Sequence, residues 1–218
     1  MADDNSRTGT RYADAEALAY AARVHATHDA ALERAFEAPG DNDMPAIQVG
    51  PSEGKLLHVL LALAGAQRVV EVGTLAGYSA IWMARALPPG GRLWTIEHDP
   101  KHAEVARGCI DAAGLGEVVE VVEADGPDGL RRVEPNGPFD AVFVDADKGR
   151  YDVYGRWASE HLRPGGLLIG DNAFFFGRLL DDEDPSAAAM RRFHEAMARD
   201  FRSVCVPTPD GLAVGIKR

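Results

Sequence analysis

At 218 residues the chain suffices for one full α/β domain and falls short of two. With 46% hydrophobic and 26% charged residues it reads as an ordinary soluble globular protein, and no apolar run approaches membrane-spanning length. A net charge of −11 disfavours a nonspecific phosphate-binding surface, although a few placed arginines could still grip one RNA.

The N-terminus, Met1-Ala2-Asp3-Asp4-Asn5, is acidic rather than leader-like, and residues 1–10 are expected to fray. Between residues 12 and 36 the chain is rich in Ala, Leu and Glu. Leu18, Ala22 and Leu32 fall at helical intervals there, which predicts one or two helices outside the sheet. Pro39-Gly40-Asp41-Asn42-Asp43 reads as a loop. A further helix opens at Pro51-Ser52-Glu53 with Ser52 as N-cap and runs through Leu56, Leu57, Leu60 and Leu61 to about Ala64. From Arg68 onward, strands expected at 68–72, 92–97, 118–123, 141–145 and 166–170 alternate with helices at 78–86, 101–113, 128–133 and 150–162. That alternation implies a parallel sheet with right-handed crossovers and helices on both faces. A last helix follows from Pro185 to about Arg199. The strands at 201–206 and 212–217 are joined only by Pro207-Thr208-Pro209-Asp210-Gly211, so they form a hairpin and the last strand runs antiparallel. Cys109 and Cys205 have no partner spacing and read as free thiols of a reducing cytoplasm. We expect an α/β, Rossmann-like single domain over 1–218, with residues 1–65 as a helical cap and 66–218 as the core.

Two strands end abruptly in chemistry. The run at 141–144 gives way to Asp145-Ala146-Asp147-Lys148, and Gly166-Leu167-Leu168-Ile169-Gly170 gives way to Asp171-Asn172. Polar ends of buried strands lie at the carboxyl edge of a parallel sheet, where such folds bind ligands. Asp145, Asp171 and Asn172 offer hard oxygen donors suited to a magnesium-like cation; the plain alternative is that Asp and Asn form turns. Lys148 is one of four lysines. It is either a surface residue at a helix start or, beside a cation in a closed pocket, a base.

Upstream, Glu71-x-Gly73-x-x-x-Gly77 marks a strand-to-helix turn that lets backbone approach a ligand, without the three-glycine dinucleotide spacing. Glu97 ends the next strand, where an acid takes both hydroxyls of a ribose or else is a solvated loop residue. Asp125-Gly126, at the third strand's end, could line an adenine. His98 and His102 have zinc-pair spacing, but Pro100 between them argues against a metal pair, which leaves His98 near a cofactor. Phe174-Phe175-Phe176 is a buried loop anchor or a wall against a flat aromatic ligand.

Together these motifs resemble the metal-dependent, S-adenosylmethionine-using O-methyltransferases of the catechol and caffeoyl-CoA type. The resemblance spans roughly residues 47–217. It is carried by Gln48-Val49-x-x-Ser52-Glu53-Gly54, by Glu71-Val72-Gly73-Thr74-x-x-Gly77-Tyr78-Ser79 and by Phe139-Asp140-x-Val142-Phe143-Val144-Asp145-Ala146-Asp147-Lys148-x-x-Tyr151-x-x-Tyr154. Gly165-Gly166-x-x-x-x-Asp171-Asn172 and Pro207-x-x-Asp210-Gly211-Leu212 complete it.

What the resemblance implies is a seven-stranded sheet with an antiparallel last strand. It implies Val49, Glu71, Gly73, Thr74, Ser79, Glu97, Gly126 and Asp145 around S-adenosylmethionine. It places Asp145, Asp171 and Asn172 on Mg²⁺, or another divalent cation such as Mn²⁺ or Ca²⁺, and makes Lys148 the base. Homodimers with substrate-shaping N-terminal segments are common in the family. Three departures stand out: Ile47 where many relatives carry Met, Phe175 where Trp is usual, and Gly126 in place of Ala. The expected reaction is methylation of one hydroxyl of a small ortho-dihydroxyaromatic acceptor in the cytoplasm, with no membrane partner and nucleic acid disfavoured. A hydroxylated tRNA base is the alternative acceptor. A nicotinamide-dependent oxidoreductase and a noncatalytic binding module are the alternatives of other classes.

Overall fold

The computed structural model describes residues 14–218; the expectations placed on residues 1–13 lie outside the described residues. Seven strands form one sheet: β1 (Arg68–Val72), β2 (Arg92–Glu97), β3 (Val119–Glu123), β4 (Phe139–Val144), β5 (Leu162–Gly170), β6 (Phe201–Val206) and β7 (Leu212–Lys217). Their spatial order is β3-β2-β1-β4-β5-β7-β6. The pairs β1–β2, β2–β3, β1–β4 and β4–β5 are parallel, whereas β7 runs antiparallel to both β5 and β6. This is the seven-stranded sheet with an antiparallel last strand that the resemblance implies. The strand order reverses between β1 and β4, and ligands of open α/β sheets bind at such a switch point.

Helices cover both faces, which is why the central strands are buried on both sides and mostly apolar, with Glu71, Thr95 and Glu97 as buried polar exceptions. On one face, α3 (Pro51–Ala64), α4 (Tyr78–Ala84) and α5 (Pro100–Ala112) bring Leu57, Leu61, Ile81, Met83 and Ile110 against Val69, Leu93, Phe143 and Ile169. On the other, α6 (Gly126–Val133), α7 (Tyr151–His161) and α8 (Pro185–Asp200) bring Leu130, Tyr151, Tyr154, Met190 and Phe193 against Val70, Ile96, Val142 and Leu168. Successive strand residues point to opposite faces, so Val69 joins the first core and Val70 the second. Two more helices, α1 (Ala15–His25) and α2 (Ala30–Asp41), precede this core. α1 buries none of its side chains, while α2 buries Leu32, Ala35 and Ala38.

Several boundaries differ from the sequence reading for identifiable reasons. Pro39-Gly40-Asp41 is the last turn of α2 rather than a loop; the Asn42 side chain donates to the Ala38 carbonyl (2.8 Å) and closes the helix beyond Pro39. The N-cap of α3 is Gly50, not Ser52. Pro51 occupies the first helical position, where its fixed φ suits the helix, and Glu53 accepts the Gly50 N–H at 3.0 Å. β4 and β5 begin earlier than their apolar runs because Phe139 pairs with Leu162 ahead of a register shift. β4 also stops one residue short, at Val144, which leaves Asp145 just outside the ladder.

Phe193 is the wedge that sets α7 and α8 on the sheet. Its ring lies against Gly155 of α7 and Gly170 of β5, where an added Cβ would stand 2.7 and 2.8 Å from ring carbons, and it meets Tyr151 edge-on at 5.3 Å. Phe193→Ala should therefore lower the unfolding free energy by about 3–5 kcal/mol, read as a reduced urea midpoint with an unchanged slope. A midpoint within error of wild type would contradict this packing.

Candidate functional site

The site is built on the tips of β1, β2, β4 and β5. Asp145 donates its backbone N–H to the Val72 carbonyl at 2.9 Å, and Gly73 donates to the Ile96 carbonyl at 3.0 Å, so the pairing continues past the strand ends. Gly73 has φ +100°, and a Cβ there would overlap the Asp145 carbonyl oxygen. Glycine is thus required both for the conformation and for the close approach of the two tips. The turn continues through Leu75 (φ +50°) to Gly77 (φ +83°), which caps α4.

A polar floor underlies this turn. Glu71 is fully buried and accepts hydrogen bonds from Ser79 Oγ (2.5 Å) and Thr95 Oγ1 (2.6 Å); Thr74 Oγ1 lies 2.6 Å from Thr95 Oγ1. Burial pushes the Glu71 carboxyl up to about 8, against the two hydroxyl bonds that favour its charged form. Glu97 accepts the backbone N–H groups of Thr74 (3.2 Å) and Leu75 (2.9 Å) on one oxygen and that of Asp99 (3.0 Å) on the other. It therefore shapes the glycine turn itself; the oxygen that takes both turn N–H groups is saturated, and the one facing Asp99 keeps a further lone-pair site. His98 and His102 approach the same Glu97 oxygen, at 3.2 and 3.8 Å. Val49 is buried just ahead of α3. At Gly126 a Cβ would overlap the Tyr154 hydroxyl, which bonds Asp147. The glycine at this position leaves that hydroxyl its room.

The second half of the site lies at the β4 and β5 tips. Lys148 Nζ donates to Asp145 Oδ1 (3.0 Å) and to Tyr151 Oη (2.8 Å) and sits 4.7 Å from the Tyr151 ring centre. Tyr151 Oη in turn lies 3.0 Å from the Val144 carbonyl and 2.9 Å from that of Asp171, so one hydroxyl ties both strand tips together. Burial, with the charges of Asp145 and Asp171 nearby, holds the Tyr151 hydroxyl well above its ordinary range. Asp171 is only 5% exposed. Burial first, and then the Asp145 charge, push its carboxyl up to about 7; Glu53 adds to this, while the Asn172 N–H and Lys148 oppose it.

A buried carboxyl at Asp171, whose charge both burial and the neighbouring Asp145 disfavour, fits a cation, which would relieve that cost. Asn172 follows directly, at φ +52°, and can offer an amide oxygen. Among the described residues, no group of three or more His, Cys, Asp and Glu side chains is arranged for a metal. The candidate set instead mixes two acids with one amide, which suits a hard ion that retains water.

The three phenylalanines divide their roles. Phe175 is the buried anchor at 4% exposure, with the Arg178 guanidinium 4.8 Å from its ring centre, whereas Phe176 is 64% exposed. Of the two readings open for the triplet, Phe175 takes the anchor's: its ring belongs to the core, and the exposed ring is Phe176. Sequence reasoning gave no role to Tyr151 beyond a motif position, nor to Arg150, which bridges Asp125 (2.7 Å) and Asp147 (3.3 Å) across two site loops. The three-residue steps Asp145-Lys148-Tyr151 were the available signal, since such steps bring side chains together on a helical turn.

Comparison with known proteins agrees with this geometry. Residues 23–218 match the family model described as O-methyltransferase. The chain is 43% identical over 199 residues to the catechol O-methyltransferase of Niastella koreensis, covering 86% of this chain and 90% of that one. Identity to the catechol O-methyltransferase of Mycobacterium tuberculosis is 42% over 170 residues, covering 78% of this chain and 77% of that one. The fold matches the crystal structure of the O-methyltransferase from Bacillus cereus in complex with SAH at a TM-score of 0.87 and 36% identity, over 92% of this chain and 96% of that one. A family match over nearly the whole chain, on a sheet of this order with its polar strand tips, places the chain in the O-methyltransferase family.

Proposed function

We propose that this methyltransferase uses S-adenosylmethionine to methylate one hydroxyl of a small ortho-dihydroxyaromatic acceptor, with Asp145, Asp171 and Asn172 holding a divalent cation and Lys148 acting as base. The observation that carries the reading is the meeting of Asp145, Lys148 and Asp171 at two adjacent strand tips, tied together by Tyr151. Relatives named as catechol O-methyltransferases support the acceptor class, and neighbours crystallised with SAH or SAM support the donor. Family membership sets aside the nicotinamide oxidoreductase. A hydroxylated tRNA base is the less supported acceptor, because a net charge of −11 repels a polyanion.

Each residue's task follows from its place. Val49, the glycine turn with Thr74, the Glu71–Ser79 pair, Glu97 and Gly126 line the donor side. A bound cation would draw electron density from both acceptor oxygens and so lower the pKa of the attacking hydroxyl. Lys148 Nζ, anchored by Asp145 and Tyr151, first gives up its ammonium proton to solvent and, as the neutral amine, takes the acceptor proton. The protein otherwise acts by holding the nucleophilic oxygen in line with the transferred methyl. The same reading takes residues 1–218 as one domain, residues 1–65 as its cap and the working form as a homodimer.

Turnover of a simple catechol should vanish with chelator and return with added Mg²⁺. Asp171→Ala should lower kcat/KM by at least the ~10–100-fold that even outer partners of a metal are worth. Undiminished turnover in that variant would end the metal-assisted mechanism. For the base, Lys148→Met should reduce kcat by about 10²–10⁴-fold while donor affinity measured by calorimetry is unchanged. Lys148→Arg should fail to restore it, because arginine does not release its proton. A Lys148→Met enzyme with wild-type kcat would remove Lys148 from the chemistry.

A further inference from the structure

We propose that Asp210, on the turn between β6 and β7, is a positioning residue for the acceptor: its carboxylate fixes the loop 172–177, which carries Asn172 at one end and the exposed Phe176 ring near the other. The inference rests on the reading of the chain as a methyltransferase of small aromatic diols. Its starting point is an unusual stretch of backbone. Asn172, Phe175 and Phe176 all lie in the left-handed region, at φ +52°, +50° and +53°, followed by Gly177 at +77°. Non-glycine residues hold such conformations only where the surroundings fix them.

The fixing contacts come largely from the β6–β7 turn. Ala173 donates its N–H to the Gly211 carbonyl and Phe174 to the Asp210 carbonyl, both at 2.9 Å. At the loop's apex, the Phe176 N–H points at both Asp210 carboxylate oxygens, at 2.9 and 3.1 Å. Gly211 (φ +81°) lies directly under Phe174, where a Cβ would come within 2.8 Å of a ring carbon. From the other side, a His194 ring nitrogen lies 2.8 Å from the Ala173 carbonyl.

These bonds act on two different things. The first pair secures Ala173, the residue next to Asn172, and so sets where the Asn172 amide begins. The carboxylate secures the backbone of Phe176, whose ring is 64% exposed and tilts against the buried Phe175 ring at 6.1 Å between centroids. An aromatic ring fixed in that way is suited to lie against a flat acceptor and to choose which of its two hydroxyls is presented. The Phe176 N–H is also exposed, so losing its acceptor leaves it to water rather than orphaned in the core. Removal of the carboxylate should therefore disturb acceptor geometry far more than folding.

The test compares wild type with Asp210→Ala, Asp210→Asn and Gly211→Ala on 3,4-dihydroxybenzaldehyde, an unsymmetrical and uncharged diol. It records KM for acceptor and donor, kcat, the ratio of the two monomethyl products, and amide hydrogen exchange at Phe176. Asp210→Ala should raise the acceptor KM roughly tenfold or more, move the product ratio toward one to one and speed exchange at Phe176, with donor KM unchanged. Asp210→Asn keeps an oxygen acceptor and should restore most of the product ratio. Gly211→Ala, which disturbs the same loop with the carboxylate intact, should shift the ratio in the same direction. A wild-type ratio and acceptor KM in Asp210→Ala would overturn the inference and leave the proposed reaction standing. Equal losses in kcat and in both KM values, with no rescue by Asn, would also overturn it by making Asp210 merely structural. If wild type methylates no diol at all, the acceptor class falls and this inference falls with it.

Discussion

The site depends on one hydroxyl. Tyr151 Oη lies within hydrogen-bond distance of the Val144 and Asp171 carbonyls and of Lys148 Nζ, so the tips of β4 and β5 and the candidate base share a single buried point. The constraint it manages is electrostatic. Parallel pairing brings Asp145 and Asp171 to the same sheet edge, and both burial and mutual repulsion work against a second negative charge there. Dehydrating a carboxylate costs several kcal/mol, so the arrangement needs a compensating positive charge. Lys148 supplies one at 3.0 Å from Asp145. The divalent cation proposed for Asp145, Asp171 and Asn172 would supply the other.

The half of the site proposed for the donor obeys a different constraint, close approach of backbone to backbone. Gly73 can lie against the Asp145 carbonyl only without a side chain, and this contact couples the glycine turn to the strand tip that carries Asp145. Glu97 then fixes the turn by collecting the Thr74 and Leu75 N–H groups, while Glu71, Ser79 and Thr95 close the space beneath. Left-handed conformations at Leu75, Asn172, Phe175 and Phe176 cluster around the same edge. Strain concentrated at a site and held there by surrounding bonds is a feature of preorganised binding surfaces.

Much of this was legible in the sequence. Buried strands of a parallel sheet announce themselves as apolar runs, and the abrupt change to Asp145 or Asp171-Asn172 marks the carboxyl edge of the sheet without any knowledge of contacts. The five-residue link from Pro207 to Gly211 was enough to make β7 antiparallel. What escaped were effects of distance. Tyr151 reaches Asp171 across 20 residues of sequence and Phe176 reaches Asp210 across 34, and no local pattern encodes either meeting. Glu97's bonds to the turn, which complicate a simple ribose-binding role, were invisible for the same reason. The split between Phe175 and Phe176 turns on positive φ angles at both residues, which side-chain type alone does not foretell. The helix through Pro39 and the Gly50 cap were missed because a side-chain cap at Asn42 and a proline at the first helical position overrode the usual loop signals.

The most direct test of the central claim is anomalous diffraction at the manganese edge from crystals of the chain grown with Mn²⁺. One strong peak per chain is expected, with oxygens of Asp145, Asp171 and Asn172 each at about the 2.0–2.6 Å expected for a hard divalent cation. A peak elsewhere, or ordered Asp145 and Asp171 side chains with no peak between them at saturating Mn²⁺, would contradict that claim.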